Sequence, residues 1–577
     1  MLSPYDRLGE EASSQLFNVV NQHVPVTLGA LPGARVVWLN PRILRDDPAW
    51  HRCGADEQAY ARHLLQCCAF AIRESQGEPT HAVGHADRYG GPGLGHNGGS
   101  GRAAVLNGYH VKGLGRTPLV SADTEPGHAS GGAYLEECVR ETVLAEIVAA
   151  EFPHGAVPTL AIIDTGLTQT WQTDAGPKTE RRCLLVRPNF LRPAHFERAV
   201  DYRSGDPREG LKDTQRVRAM LREAARLWSV PALVADYRRF WVRWAEQLAY
   251  GFVHRLPHCG HSLSNVCLGG QLLDFGAMAA MPSWARIDTM PRGEPTGMEL
   301  EAVMRCLVAQ LPQVASELDA DLGTPQGLAG MLKATRDAYA HTTRVELLRV
   351  LGLTRTVAMR SLAAPLGTSL SHELLRLMTH AQRERFAIFS GTPQRPVGWD
   401  VPLFWRDVPP PHLARLRELV EQALRDPTIV DTDLDTARRA TRGRHALRTR
   451  DRRRLYREAI RRAIYEALET RPLDAQALAN ALGRWVQREV VGNRRDGRHE
   501  PAEMRPLGYA LGREAAYSLH EHAVTGRRWA YLEWHAKDAR AADVCLPLEV
   551  ELMEPSGISF VGTSCGDFEA DVELSPS

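Results

Sequence analysis

The fold of this chain is decided by residues 100–118, which read Ser100-Gly-Arg-Ala-Ala-Val-Leu-Asn-Gly-Tyr-His-Val-Lys-Gly-Leu-Gly-Arg-Thr-Pro118. Apolar residues over Ala103–Asn107 and Tyr109–Lys112 predict a short pair of strands, directly after a long glycine-rich loop from Gly84 to Gly101. Lys112 stands out because the chain has 65 arginines and only 5 lysines. A compact ammonium at a strand end can hold a phosphate as a point charge, whereas a planar guanidinium would contact it differently. The stretch therefore indicates a site for nucleotide phosphates.

Residue types typical of a kinase-like nucleotide site follow in kinase-like order. A helix predicted over Ala133–Phe152 carries Glu141, the type of residue that pairs with such a lysine. Two arginines come next, and then Asp274 in Asp-Phe-Gly, with Asn265 nine residues before it. Oxygen ligands on either side of the Gly269-Gly270 turn suit magnesium. Each motif alone also fits a plain loop or a solvated side chain, so the prediction depends on their combination.

Composition limits the class of protein. With 577 residues and 44% hydrophobic content, the chain is expected to form several domains with sizeable cores. Its net charge of +1 gives no global attraction to nucleic acid or to a membrane. Residues 1–30 show no basic segment followed by an apolar run, and no apolar stretch has membrane-spanning length. The 10 scattered cysteines favour a reduced, cytoplasmic protein over a disulfide scaffold.

Several stretches together resemble the selenoprotein O family of pseudokinase-like protein adenylyltransferases. The resemblance covers roughly residues 80–280. The matching stretches are Ser100–Leu106, Val111-Lys-Gly-Leu-Gly-Arg-Thr-Pro118, Val139-Arg-Glu-Thr-Val-Leu-Ala-Glu146, Val186-Arg-Pro-Asn-Phe-Leu-Arg192, His195-Phe-Glu197 and Asn265–Gly276.

The resemblance implies an activity and a role for each site residue. The implied activity is transfer of AMP from ATP to a protein or peptide acceptor, with release of pyrophosphate. Lys112, Glu141 and Asp274 are the implied catalytic residues, and Asn265 and Asp274 are the implied ligands of Mg²⁺ or Mn²⁺. Two arginines would hold the phosphates of an ATP bound in flipped orientation. The expected nucleotide-binding residues are Gly99, Gly101, Arg102, Lys112, Arg187 and Arg192.

The residue before Asn265 leaves the acceptor open. No His-Arg-Asp catalytic loop precedes Asn265, so ordinary γ-phosphoryl transfer lacks its usual base. The family has an aspartate directly before this asparagine, where the present chain has Ser264, a poor proton acceptor. Either another residue such as His261 serves a hydroxyl acceptor, or the acceptor is a carboxylate, as in adenylation of a peptide during ribosomal-peptide maturation. A nucleotide-binding scaffold without catalysis is the alternative from another class.

Three further features are open to more than one interpretation. The cluster of His254, His258, Cys259 and His261 is either a zinc site or a loop whose histidines contact the acceptor. The segment Arg438–Arg462 has 12 arginines and 2 acidic residues, which indicates a solvated helical face or a docking surface for an acidic protein, a peptide or, least favoured, nucleic acid. Cys565 resembles the cysteine or selenocysteine near the family's C-terminus.

The expected fold class is α+β, with a protein-kinase-like two-lobed core and a large helical C-terminal region. We expect an N-terminal extension over residues 1–60 and an N-lobe over 61–190 with the glycine-rich loop, the lysine strand and the glutamate helix. A helical C-lobe with the metal ligands is expected over 191–400, a helical region over 401–554 and a flexible tail over 555–577.

Overall fold

The computed structural model of the chain describes most of the first 281 residues and separate segments after them. The described residues are 16, 18–72, 82–91, 97–124, 126–174, 176–204, 208–281, 286–288, 299–350, 355–380, 385–387, 411–425, 455–469, 480, 483, 504–511, 515–522, 528–534 and 548–552. The chain forms two compact units, residues 1–343, 382–397 and 450–494 in the first, and residues 344–381, 398–449 and 495–577 in the second. Helices and strands are both present, so the fold class is α+β.

The first unit is built on one large antiparallel sheet. Its strands run in the order β2-β8-β9-β6-β5-β4-β1-β3, and β7 also pairs with β9. Two further short strands, β10 and β11, pair in parallel. The bounds are β1 His23–Ala30, β2 Arg35–Leu39, β3 Phe70–Ile72, β4 Ala82–Asp87, β5 Ala103–Leu106, β6 Tyr109–Lys112, β7 Ala133–Tyr134, β8 Ala161–Thr173, β9 Gly176–Pro188, β10 Arg286–Asp288 and β11 Arg385–Ala387.

Helices follow and flank the sheet. Among the described helices, none is long and apolar enough to cross a membrane. Their bounds are α1 Pro48–Arg52, α2 Glu57–Cys68, α3 Pro126–Ala129, α4 Leu135–Glu151, α5 Glu209–Trp228, α6 Val230–Val253, α7 Glu299–Glu317, α8 Pro325–Val350, α9 Arg355–Ser361, α10 Pro365–His380, α11 Pro411–Arg425 and α12 Arg457–Glu469.

The β5–β6 hairpin carries Lys112. Its turn residues Asn107 and Gly108 have φ angles of +47° and +86°, as a two-residue hairpin turn with positive φ at both central positions requires. The register pairs Lys112 with Ala103 on β5 and with Leu185 on β9. The strand pair predicted from the sequence is therefore confirmed, and it lies in the middle of the sheet.

The sheet has helices on both faces. Alternate residues of β9 point to opposite sides, as the pleat of a strand dictates. Leu184 and Val186 join a core that includes Trp50 of α1 and Leu64 of α2, whereas Leu185 joins the core of α4. Helix α4 therefore packs on the face of the sheet opposite to α1 and α2, and its position agrees with the helix predicted over residues 133–152.

Two expectations about the N-terminal part are wrong in detail. The expected loop from Gly84 contains strand β4, because Gly84 gives the close approach that β1 needs: a Cβ there would lie 3.0 Å from a methyl group of Leu28. Residues 1–60 are not simply an extension, since β1 pairs with β3 and β4, and β2 pairs with β8. These pairings are long-range and leave no local signal in the sequence.

The second unit contains helices and a second sheet. Buried leucines of α10 and α11, among them Leu374 and Leu416, contribute to its core. Four antiparallel strands follow: β12 Met504–Leu511, β13 Ala515–His522, β14 Arg528–Trp534 and β15 Leu548–Leu552. The expectation of a helical region over 401–554 is therefore wrong for these residues, whose sequence has strand character, as in the strict alternation Leu-Glu-Val-Glu-Leu of β15. The tail over 555–577 lies outside the described residues.

Candidate nucleotide and metal site

Lys112 lies buried at the end of β6, against two glutamates of α4. Its ammonium forms an ion pair with Glu141 and lies 3.0 Å from Oε1 of Glu137. The two glutamates are one helical turn apart, so their carboxylates share one face of α4. Burial and the charge of Arg102 act to lower the pKa of Lys112, but Glu137, Glu141 and Asp274 outweigh them, and the pKa is raised. Lys112 is therefore a permanently charged ammonium in a buried position.

Glu141 also binds a second cation. One carboxylate oxygen accepts a hydrogen bond from Lys112, and the other accepts one from Arg187 at the end of β9. Glu141 is fully buried, and a buried carboxylate is costly unless it is paired and hydrogen-bonded. The two cations meet that requirement. Within the described residues, Nε of Arg187 is buried and has no hydrogen-bond partner.

Arg192 is held beside this cluster by different contacts. Its Nη1 donates a hydrogen bond of 2.7 Å to the carbonyl oxygen of Ser264, and its guanidinium lies 4.6 Å from the ring centre of Tyr89. Its Nε is also buried without a hydrogen-bond partner. The residue is therefore fixed between the start of the glycine-rich segment and the loop that carries Asn265.

Asp274 has an unusual backbone conformation. Its φ is +58°, in the left-handed region, which aspartate tolerates better than most residues. Its Oδ1 lies 4.0 Å from Nζ of Lys112, and 42% of the side chain is exposed. Lys112 holds the pKa of this carboxyl well below its usual range, against the effect of burial, with further contributions from Arg102 and Arg187. The carboxylate is therefore ionised at neutral pH and open to a ligand.

Asn265 and Asp274 are brought together by a tight turn. The N–H of Leu273 donates to the carbonyl oxygen of Asn265 at 3.0 Å, and Val266 bridges Leu272. The two strands predicted here are thus reduced to a single bridge around the predicted turn. Amide and carboxylate oxygens are hard donors that suit Mg²⁺, which in phosphate-binding sites takes one or two protein ligands and completes its shell with phosphates and water. The side-chain oxygens of these two residues are of the types that suit that ion.

Two glycines of the glycine-rich loop contribute close backbone packing, and Arg102 contributes an ion pair. A Cβ on Gly99 would lie 2.2 Å from the carbonyl oxygen of Asp87, so this position is needed for close backbone packing. A Cβ on Gly101 would lie 2.9 Å from the side-chain amide of Asn97. Arg102 binds Glu137, with Nη2 at 2.7 Å from Oε1. Its guanidinium therefore orients a glutamate that in turn contacts Lys112.

Two residues of the cluster were not among the expected site residues. Glu137 is one of them, although its spacing of four from Glu141 on a predicted helix places both on one face. His258 is the other, and the sequence indicates it only as a member of the histidine cluster. It hydrogen-bonds the carbonyl oxygen of Leu273 at 3.0 Å, and its ring packs edge-on against Phe275, so it braces the backbone on both sides of Asp274.

Two arginines hold the backbone after Asp274. Arg140 of α4 donates to the carbonyl oxygens of Phe275 and Gly276, at 3.2 and 3.0 Å. Arg457 of α12 donates to the same carbonyl of Gly276 at 2.8 Å. Helix α12 therefore contributes directly to the position of the Asp-Phe-Gly segment.

The histidine cluster is distributed among separate contacts. His254 stacks on Tyr250, with ring centres 4.1 Å apart, while His258 faces Phe275. His261 is buried, and Cys306 donates a long hydrogen bond to its carbonyl oxygen. Within the part of the chain that the structure describes, no three or more side chains of histidine, cysteine, aspartate or glutamate are grouped so that they could hold a metal ion.

The basic segment Arg438–Arg462 is described only from residue 455. There, Arg457 faces Gly276, and the guanidinium of Arg461 lies 5.8 Å from the ring centre of Tyr465. These two arginines contact their own chain. Residues 438–454 and Cys565 lie outside the described residues, so docking on the segment stays a prediction.

The candidate site combines four cationic side chains with three carboxylates. The cations are Arg102, Lys112, Arg187 and Arg192, and the carboxylates are Glu137, Glu141 and Asp274. Such a set can bind a polyphosphate and stabilise charge that develops on it. No model of a known protein family matches this chain, and no curated protein sequence matches it.

Proposed function

We propose that this chain transfers AMP from ATP to a protein or peptide and releases pyrophosphate. The observation that carries the proposal is the buried cluster in which Glu141 binds both Lys112 and Arg187, with the ionised carboxylate of Asp274 4.0 Å from Lys112. The resemblance to the selenoprotein O family supports it, because the residues matching that family's motifs make these contacts.

The proposal includes a kinase-like two-lobed core. The antiparallel sheet with its lysine strand and glutamate helix α4 corresponds to an N-lobe. Helices α5 to α7 and the loop from His254 to Gly276 correspond to a C-lobe. The lysine–glutamate ion pair and the Asp-Phe-Gly segment have the relationship that kinases require for nucleotide phosphates.

Each residue has a separate role in this proposal. Lys112 positions the phosphates, and its own position is fixed by Glu141. Arg187 and Arg192 stabilise the charge of the leaving pyrophosphate with their guanidinium groups. Asn265 and Asp274 would hold Mg²⁺ or Mn²⁺, which when bound screens the charge of the phosphates.

The absence of a kinase base favours AMP transfer over γ-phosphoryl transfer. In a protein kinase the catalytic aspartate follows the loop histidine by two residues and precedes the asparagine by five. His258 and Asn265 keep the corresponding spacing, but the position between them that would carry the aspartate is Gly260. A site that binds the nucleotide without this base suits attack at a different phosphorus.

Adenylation of a carboxylate is the second candidate. The observation in its favour is Ser264, whose hydroxyl lies 2.9 Å from the hydroxyl of Ser262 and offers no basic group beside Asn265. A carboxylate is already ionised at neutral pH, so it attacks phosphorus without a base.

Mass spectrometry of the full-length protein tests the proposed activity. The purified chain is incubated with ATP and Mg²⁺ or Mn²⁺, alone and with candidate peptides, and pyrophosphate is measured in parallel. We expect an AMP adduct and stoichiometric pyrophosphate, both lost in the Lys112→Ala/Asp274→Ala variant. Binding of ATP without either product would instead indicate a nucleotide-binding scaffold.

A further inference from the structure

Arg192 differs from the other three cations of the candidate site in its contacts. Each of the other three forms an ion pair with a glutamate of α4. Among the described residues, no carboxylate forms an ion pair with Arg192. Its guanidinium instead contacts the carbonyl oxygen of Ser264 and the rings of Tyr89 and Phe190. Groups other than a paired carboxylate therefore hold this buried cation in place.

The side chain of His195 holds the backbone of Arg192. The N–H of Arg192 donates a hydrogen bond of 3.1 Å to Nδ1 of His195, which lies three residues later on the short 3₁₀ turn Pro193–Phe196. The imidazole is fully buried, and it packs edge-on against Tyr89 with ring centres 5.8 Å apart. His195 therefore contacts both the backbone of Arg192 and the ring against which its guanidinium lies.

Asp87 determines which nitrogen of the imidazole carries hydrogen. Nε2 of His195 lies 2.8 Å from Oδ2 of Asp87, which is buried at the end of β4. Burial acts to raise the pKa of Asp87, but the hydrogen bond from His195 and the nearby positive charge outweigh it, and the pKa is lowered. An ionised carboxylate only accepts hydrogen bonds, so Nε2 donates. Burial lowers the pKa of His195, so its ring is neutral at pH 7 and Nδ1 is an acceptor for Arg192.

Asp87 is itself fixed by the glycine-rich loop. Its Oδ1 accepts a hydrogen bond from the hydroxyl of Ser100, and its carbonyl oxygen accepts one of 2.9 Å from the N–H of the same residue. The N–H of Gly90 donates to the carbonyl oxygen of Ala194, also at 2.9 Å. The glycine-rich loop and the turn after Arg192 are therefore tied together by both side-chain and backbone hydrogen bonds.

We propose that His195 is a positioning residue for the phosphate contact of Arg192, and that Asp87 sets the tautomer that this role requires. The inference rests on the proposed function, in which Arg192 stabilises the charge of pyrophosphate. The imidazole bridges the carboxylate of Asp87 and the backbone of Arg192. The guanidinium is thus held in place without an ion pair, so an anionic ligand can bind it without displacing a carboxylate.

Two substitutions separate the contact with Arg192 from the contact with Asp87. In His195→Asn the amide oxygen is as many bonds from Cα as Nδ1 of histidine, so it can accept the N–H of Arg192 but cannot reach Asp87. In His195→Gln the amide group takes the place of Nε2, so it reaches Asp87 and leaves the N–H of Arg192 without this acceptor. A role in positioning Arg192 predicts that only the first substitution preserves function.

Binding of inorganic pyrophosphate to the full-length protein, measured by calorimetry with Mg²⁺, tests the proposal. We expect His195→Ala and His195→Gln to weaken binding by about tenfold, and His195→Asn to stay within about threefold of wild type. In an Arg192→Ala background, His195→Ala should change the affinity by less than about twofold, because the group that it positions is absent. The exposed residue His51 provides the matched control, and His51→Ala should bind pyrophosphate as wild type does.

The outcomes distinguish this inference from the proposed function. Equal losses of affinity from His195→Ala in the two backgrounds would show a general structural role and overturn the proposal. The comparison of His195→Asn with His195→Gln applies even where His195→Ala is too unstable to purify, and a loss confined to His195→Asn would also overturn it. AMP transfer is followed in the same samples. Pyrophosphate binding that depends on His195 through Arg192, without AMP transfer, would support the positioning role and contradict the proposed function. Wild-type protein that binds no pyrophosphate would overturn both.

Discussion

Lys112 and Glu141 form a buried ion pair in which the side chains are 7% and 0% exposed. The lysine comes from a strand in the middle of the sheet and the glutamate from the helix packed on it, so their contact depends on the whole first unit being folded. An ion pair of this kind is expensive to desolvate and contributes little net stability compared with apolar residues. The proposed function gives this pair a role, the positioning of a charged ligand.

Replacing Lys112 should abolish turnover, even when the positive charge is kept. We expect Lys112→Ala to lower the rate of pyrophosphate release by about 100-fold or more, because a charge contact with the phosphates is lost. Lys112→Arg should also fail, since a planar guanidinium does not fit a buried position built for a compact ammonium. The exposed residue Lys333 provides the control, and Lys333→Ala should retain full activity in the same assay. Wild-type rates for Lys112→Ala would remove this residue from the site.

Asp274→Asn should lower activity much more than stability. The side chain is 42% exposed and its nearest cation, Lys112, is 4.0 Å away, so losing the charge that lowers its pKa should reduce the melting temperature only slightly at neutral pH. Turnover should fall by about 100-fold or more, because an amide oxygen binds a divalent cation more weakly than a carboxylate. The dependence of the residual rate on Mn²⁺ concentration should shift to higher concentrations. A variant with an unchanged metal requirement would argue against Asp274 as a ligand.

Gly99→Ala should destabilise the fold. The Cβ would approach the carbonyl oxygen of Asp87 to 2.2 Å, and the φ of +148° is unfavourable for alanine. We expect a loss of about 1–3 kcal/mol in the free energy of unfolding, measured by chemical denaturation. Gly210→Ala is the matched control: its Cβ would have nothing within 4 Å on helix α5, so that variant should be neutral or slightly stabilising. Equal stability of the two variants would contradict the packing described for Gly99.

Arg457→Ala should lower activity although the residue lies far along the chain from the other site residues. Its guanidinium binds the carbonyl of Gly276 at 2.8 Å and so helps to fix Asp274 two residues earlier. We expect kcat to fall by about tenfold with little change in the affinity for ATP, because a misplaced metal ligand affects turnover more than binding. Arg462 is exposed on the same helix, and Arg462→Ala should behave as wild type.

The raised pKa of Glu197 should appear in the pH dependence of stability. Its pKa rises from 4.5 to about 7 on folding, so the native chain binds more protons than the unfolded chain between these values. The contribution of this group to stability is therefore present below pH 4.5 and is lost as the pH rises through 7. Glu197→Gln should be as stable as wild type near pH 4.5 and more stable at pH 8, by about 3 kcal/mol at most. A difference that does not depend on pH would contradict the raised pKa.

The parts of the fold that could be predicted from the sequence have strong local signals. Helix α4 has apolar residues at helical spacing along its whole length, and the β5–β6 hairpin has two short apolar runs around a tight turn. The pairing of β1 and β2 with strands much later in the chain has no such local signature. The helical region expected over residues 401–554 is wrong from β12 onward, where the sequence has strand character, as in Leu-Glu-Val-Glu-Leu of β15.

The site residues show the same contrast between local sequence signals and long-range contacts. Lys112, Glu141 and Asp274 could be identified from motifs, and the structure brings them together. Arg457 could not be assigned, because its importance depends on Gly276, a neighbour distant in sequence. Such contacts arise only from the tertiary structure.

The position of the label transferred from ATP tests the central claim most directly. Full-length protein is incubated in parallel with [α-³²P]ATP and [γ-³²P]ATP, and the protein and the small-molecule products are separated. AMP transfer predicts that only the α label becomes protein-bound, that the γ label appears in pyrophosphate, and that Lys112→Ala abolishes both signals. Transfer of the γ label to protein with formation of ADP would show an ordinary kinase and contradict the account.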